Sequence, residues 1–241
     1  MTEGVRRTCG ILGGMGPEAT IDLMRRIVAH TRAQDDADHV HCLVDNNPQV
    51  PSRIKVLLEG GTVSPGPCMA AMGRGLEAQG ADFLCIACNT AHNWRDEVAR
   101  AVNIPVLDMI ALAAAEAARR APKARAGILA SPAVRLTGLY EAPCRGQGLE
   151  PVFADEAEEA RLLGVIRAIK AGRTGDDVRA DLKRVVENVL NKGAGVLIAA
   201  CTELGVIGVE APVPVVDAAD ALAAAIVLEG AGPDALKRPG A

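Results

Sequence analysis

The sequence predicts an α/β fold built as two pseudosymmetric three-layer lobes with mostly parallel sheets and a ligand cleft between them. Three observations carry this. Apolar runs of strand length alternate with stretches of helical periodicity, the pattern of a parallel sheet covered by helices. Only four aromatic residues occur in 241, Phe83, Trp94, Tyr140 and Phe153, so Ala, Val, Leu and Ile must fill closely packed helix–sheet layers. Several features of the first half also return in the second at nearly one offset.

In chain order, residues 9–13 (CGILG) read as a buried strand. The turn Gly13-Gly14-Met15-Gly16 follows, and Pro17 opens a helix over 18–31, where its missing N–H costs nothing. Residues 39–45 alternate, with Val40, Cys42 and Val44 on one face of a strand. A polar loop with Pro48 and Pro51 covers 46–53. Helix 68–79 stops at Gly80, and 82–88 is a short apolar strand. Helix 91–102 and strand 105–108 end the first half.

The second half begins with a strand over 126–130. Leu162, Leu163, Ile166 and Ile169 keep helical spacing, and Gly172 is placed to end that helix. Val178, Leu182, Val185, Val186 and Val189 mark another helix. Strands over 194–200 and 213–217 and a helix over 218–228 complete the pattern.

The repeat has three matches in order. Gly80-Ala81-Asp82 precedes Cys88 as Gly193-Ala194-Gly195 precedes Cys201, and Gly10-Ile11-Leu12 corresponds to Gly127-Ile128-Leu129. Pro105-Val106-Leu107-Asp108 corresponds to Pro214-Val215-Val216-Asp217. A duplicated unit explains why glycines and a cysteine are matched along with the apolar runs. The expected lobes are 1–106 plus 215–241, and 107–214.

Charge and composition narrow the function. A net charge of −4 gives no basic footprint for nucleic acid or an anionic membrane. The longest apolar stretches fall far short of the ~20 residues of a spanning helix. A cytoplasmic protein is expected. Seven cysteines, an odd number with no export signal, argue against a disulfide framework.

Cys88 and Cys201 each fall at the carboxyl end of a predicted strand, where open α/β sheets bind ligands. Pseudo-twofold symmetry sets the two thiols on opposite sides of one cleft. Inverting a stereocentre with an acidic C–H needs a base on one face and an acid on the other, and a thiol/thiolate pair supplies both. Asn89-Thr90 and Thr202-Glu203 follow the thiols, at helix starts whose N–H groups hold carboxylates.

The stretches 10–20 (GILGGMGPEAT), 46–53 (NNPQVPSR), 88–92 (CNTAH) and 201–204 (CTEL) resemble the aspartate/glutamate racemase family, most closely its aspartate racemase branch. The resemblance extends to about Asp217. It implies racemisation of a small acidic amino acid without PLP, metal or other cofactor, by a homodimer of two-domain subunits, with Cys88 and Cys201 catalytic. It matches Arg53 to an arginine that contacts a substrate carboxylate and Lys170 to a lysine that reaches the distal carboxylate. It also matches Asn89, Thr90 and Thr202 to positions that contact carboxylate or ammonium. Met15 and Gln49 lie on loops bordering the family's pocket. There are two departures: Ser52 stands where the family usually has Asp, and a threonine pair appears as Ser131 and Val134, so one hydroxyl is kept and one lost.

Other constellations are weaker. Cys85-x-x-Cys88 resembles a redox or metal pair, but residues three apart on a strand face opposite ways. His39, His41 and Cys42 share that defect. His92 reads as a structural helix-start histidine. The glycine turn lacks the later residues of a dinucleotide or P-loop motif. The alternatives are a broad-specificity amino-acid racemase, a dicarboxylate isomerase or decarboxylase on the same scaffold, and a non-enzymatic dicarboxylate-binding protein. Both cysteines favour racemisation, because some related decarboxylases keep only the second.

Overall fold

A computed structural model describes residues 6–237. Two sheets form, and all their ladders are parallel. The first has order β2-β1-β3, from β1 Cys9–Gly13, β2 Cys42–Asn46 and β3 Phe83–Ile86. The second has order β5-β4-β6-β7, from β4 Arg125–Leu129, β5 Glu150–Phe153, β6 Val196–Ala199 and β7 Val215–Asp217. Among the described residues no helix is long and apolar enough to cross a membrane.

The duplication holds at the level of single contacts. Ala87 N–H donates to Leu12 O at 3.0 Å, and Ala200 N–H donates to Leu129 O at 2.9 Å. Leu84 N–H reaches Pro105 O at 2.8 Å, as Leu197 N–H reaches Pro214 O at 2.9 Å. A Cβ on Gly10 would strike Leu84, Ala81 and Leu76, and one on Gly127 would strike their counterparts Leu197, Ala194 and Val189. Glycine at both positions therefore lets a helix close on its sheet. Asp108 caps α5 (Met109–Arg120) by accepting from the N–H groups of Ile110 and Ala111. Asp217 caps α11 (Ala218–Ala231) by accepting from the N–H groups of Ala219 and Asp220.

Strand alternation divides the core. Cys9, Ile11, Phe83 and Cys85 of the first sheet share one apolar cluster with Ala126, Ile128, Val196 and Ile198 of the second, and with α5 and α11. The outer face of the first sheet, with Leu12, Leu84 and Ile86, packs on α3 (Gly66–Ala78). The outer face of the second, with Leu129, Leu197 and Ala199, packs on α8 (Glu156–Lys170) and α9 (Asp176–Asn191). The core is thus continuous between the lobes, because the same helices serve both sheets. Three short helices of the second half start directly after Ser131, Tyr140 and Glu203: α6 (Pro132–Leu136), α7 (Glu141–Gly146) and α10 (Leu204–Ile207).

Several elements differ from expectation. The strand expected over 105–108 reduces to a single bridge from Val106 to Leu84. The helix expected over 91–102 opens as a 3-10 turn, Thr90–Trp94, before α4 (Arg95–Ala101). The loop over 46–53 ends in α2 (Arg53–Leu58), capped by the Ser52 hydroxyl. Residues 215–217, expected with the first lobe, hydrogen-bond to β6 in the second sheet. The repeat accounts for this, since Val215 stands where Val106 stands in the first half. The helix α1 (Pro17–His30) forms as expected and packs against α11.

Candidate active site

Each candidate thiol sits just past the last ladder bond of a strand, Cys88 after β3 and Cys201 after β6. β3 and β6 carry alternate residues to opposite faces, so Cys88 falls on the side of Leu84 and Ile86, and Cys201 on the side of Leu197 and Ala199. Cys85 turns the other way, into the shared core, with its Sγ 3.8 Å from Cys9 Sγ. The Cys85/Cys88 pair is therefore split, as strand geometry requires.

Cys88 and Cys201 line one narrow cavity of about 60 Å³. Both are buried, each 8% exposed. Arg53, Asn89, Thr90, Ser131, Lys170 and Thr202 line the same cavity, together with Glu203. Eight of the ten site residues expected from the sequence thus converge, from both lobes. The other two do not line it. The Met15 side chain is buried in the first-lobe core, where its length and apolarity place it. Gln49 is exposed on a loop whose turn is closed by Asn47 Oδ1 accepting its N–H at 2.9 Å. Val134 is fully buried in the shared core.

The first-lobe wall is pinned from behind. His92 donates from Nδ1 to Cys88 O at 2.9 Å and accepts from Met109 N–H at Nε2 at 3.1 Å. Burial lowers its pKa, although the Cys88 carbonyl opposes this, so the ring is a neutral clamp between the thiol-bearing turn and α5. Tyr140, fully buried, donates its hydroxyl to Asn89 Oδ1 at 2.6 Å. Burial pushes that phenol well above its ordinary pKa, so it remains a donor. With Oδ1 occupied, Asn89 Nδ2 is left as a buried N–H₂ group with no partner, beside Cys88. Thr90 and Ser131 hydroxyls meet across the lobes at 3.4 Å.

The cations are already engaged. Arg53 donates to Met15 O at 2.7 Å and Pro51 O at 3.2 Å, while its buried Nε has no partner. It therefore braces the glycine turn and is not a freely swinging fork. That turn is also held by Thr20, whose hydroxyl accepts from Gly14 N–H at 2.9 Å. Gly14 has φ +83° and a Cβ there would strike the Asn47 backbone, so only glycine fits.

Lys170, the last residue of α8, pairs through Nζ with Glu203 Oε1 at 3.1 Å. Burial opposes the lysine charge, but Glu203, together with negative charge on Cys88 or Cys201, outweighs it and raises its pKa. Cys201 Sγ–H donates to Glu203 Oε2 at 2.9 Å. Burial first, and then Glu203, pushes the Cys201 thiol well up. Glu203, which lines the cavity, and Tyr140, which holds Asn89, are polar residues of this site that sequence reasoning left without a role. The signal for Glu203 was its place two residues after a strand-end cysteine. Tyr140 had none, because its partner lies in the other lobe.

The sequence matches the family model described as Asp/Glu/hydantoin racemase over residues 12–226. Among solved structures, the aspartate racemase of Picrophilus torridus is 30% identical, with 96% of each chain covered and a TM-score of 0.80. A broad-specificity amino-acid racemase of Bacillus subtilis is 25% identical over 232 residues, covering 90% of this chain and 96% of that protein. Glutamate racemase from Bacillus anthracis is 15% identical, with 93% of this chain and 82% of that chain covered and a TM-score of 0.65, a likeness of fold alone.

Proposed function

Because this chain belongs to the Asp/Glu/hydantoin racemase family, we propose that it interconverts L- and D-aspartate, or a closely related acidic amino acid, without a cofactor. The observation that carries this reading is the pair of thiols, one from each lobe, in a single cavity lined also by a lysine and by Asn89, whose amide N–H₂ has no partner. One thiolate removes the α-proton and the electron pair passes into the α-carboxylate. The opposite thiol returns a proton to the other face, and the reverse reaction exchanges these roles. Asn89 Nδ2, Thr90 and Thr202 supply donors to the α-carboxylate, with Ser131 beside them. Lys170 supplies the charge for the distal carboxylate, and Arg53 adds positive potential from behind the glycine turn.

The protein acts in this reading as a cytoplasmic homodimer on a small-molecule substrate. A second reading, broad specificity, is favoured by one observation: Lys170 is already paired with Glu203, so part of the charge that would select a second carboxylate is offset. A panel of amino acids in D₂O, followed by loss of the α-proton signal in NMR, decides between them. Aspartate should exchange and racemise fastest. Equal rates for neutral amino acids would favour the second reading, and no exchange with any amino acid would overturn both.

A further inference from the structure

Cys88 and Cys201 are equivalent by the repeat but not by surroundings. Cys201 Sγ lies 2.9 Å from Glu203 Oε2. Among the described hydrogen bonds, the Cys88 side chain has no carboxylate partner; its carbonyl is taken by His92. The repeat places Thr90 where Glu203 stands in the second half, so the carboxylate is present on one side only. Glu203 is buried, and its other oxygen is held by Lys170 at 3.1 Å. The Thr202 hydroxyl adds a 3.4 Å contact to the same oxygen that meets the thiol.

From this asymmetry we propose that Glu203 is a positioning residue that keeps the proton on Cys201 in the free enzyme, so that the resting form acts on the enantiomer whose α-proton faces Cys88, with Cys88 as base and Cys201 as acid. The proposal rests on the racemase reading for its purpose but on geometry for its substance. A thiolate at Cys201 would lie in hydrogen-bond contact with a carboxylate, and two adjacent negative charges are disfavoured in a buried site. The thiol form instead donates to that carboxylate.

The proton balance follows. Cys88 thiolate takes the α-proton and becomes a thiol, while Cys201 gives its proton to the opposite face and becomes a thiolate. The two sulfurs have exchanged one proton and no electrons. The enzyme then resets by reprotonation of Cys201 and deprotonation of Cys88 through solvent, and Glu203 drives the first of these. The other ionisable groups around Cys201 are Lys170, Cys88 and Tyr140, with Arg53 on the same cavity. Of these, Lys170 favours the thiolate and Cys88 opposes it.

Glu203→Gln removes the charge but keeps the shape, and its amide N–H₂ can donate to a thiolate. The test is iodoacetamide alkylation of the full-length protein across a pH series, with each modified cysteine located by mass spectrometry. In the wild type Cys88 should react first. Glu203→Gln should move the Cys201 profile to lower pH and speed its alkylation about tenfold at mildly alkaline pH, the change in thiolate fraction for one pKa unit. Lys170→Met should move it the opposite way. Opposite signs from two changes at one ion pair separate a charge effect from general loosening.

If the cavity excludes the reagent, ultraviolet thiolate absorbance gives the same midpoint, read as wild type minus Cys201→Ala. Should Glu203→Gln misfold, the wild-type order and Lys170→Met still decide. Equal reactivity of the two cysteines in the wild type, or an unmoved Cys201 profile in folded Glu203→Gln, would overturn the assignment while leaving racemisation untouched. Absence of α-proton exchange with the thiol effect intact would instead overturn the function that the asymmetry serves.

Discussion

Tyr140 of the second lobe fixes the orientation of Asn89 in the first: its hydroxyl donates 2.6 Å to Asn89 Oδ1 and leaves the buried Nδ2 without a partner, on a residue that lines the thiol cavity. One buried phenol thereby couples the two lobes and chooses a donor over an acceptor beside Cys88. Tyr140→Phe leaves a buried amide oxygen unpaired, which costs ~1–3 kcal/mol. Thermal unfolding should show that loss. KM should rise as well, because the freed amide can flip and offer its oxygen to a carboxylate.

Lys170→Ala should weaken aspartate more than alanine, by ~1.5–3 kcal/mol in kcat/KM, the range for hydrogen bonds to charged groups. Arg53→Ala should hurt aspartate similarly or more, through the glycine turn it braces as well as through its charge. Steady-state kinetics on both substrates checks this. An unchanged kcat/KM for aspartate in Lys170→Ala would remove the acidic-substrate assignment while leaving racemisation standing.

The paired glycines offer a test of the duplication itself. Gly10→Ala and Gly127→Ala each push a methyl into equivalent side chains, Leu84 and Leu197 among them. Overpacking of this kind costs ~1–3 kcal/mol. Chemical denaturation should show both variants destabilised by comparable amounts. Neutral behaviour in either would mean that its helix–sheet layer is looser than the contacts indicate.

Reagent sensitivity separates thiol chemistry from cofactor chemistry. EDTA and hydroxylamine should leave activity intact, and alkylation of Cys88 or Cys201 should remove it. Inactivation by hydroxylamine with no effect of alkylation would point to a carbonyl cofactor instead.

Six of the seven described strands, the repeat and the two thiols were legible because they follow from local pattern; β5 was not expected, and β2 starts at Cys42 where the alternation had suggested residue 39. Apolar runs of strand length stand out, Gly10 and Gly127 are fixed by close packing, and strand parity separates Cys85 from Cys88. What stayed hidden depends on contacts distant in sequence. The Tyr140–Asn89 bond spans 51 residues. The engagement of Arg53 with Met15 O spans 38 residues. Lys170 reads as a free cation in the sequence because its partner, Glu203, lies on the far side of α9 along the chain. The strand over 105–108 shrank to a bridge, since four residues of apolar pattern do not say how much ladder a neighbour will accept.

Replacing either thiol should abolish racemisation, because each face of Cα needs its own acid or base. Losing a positioned acid or base costs typically ~10²–10⁴-fold. Cys88→Ala and Cys201→Ala should each show that loss in both directions, since enantiomers have equal free energy in water and the two values of kcat/KM must stay equal. A single-cysteine variant that racemises at a near-normal rate would leave one thiol without a role.

Two different thiols working on opposite faces of Cα leave a signature in the early partition of deuterium in D₂O. With L-aspartate as the starting enantiomer, deuterium should enter the D-aspartate product while the residual L-aspartate still carries its original α-proton. Deuterium appearing equally early in residual substrate and product, or original α-protons carried intact into D-aspartate, would show one base serving both faces and rule out the two-thiol mechanism.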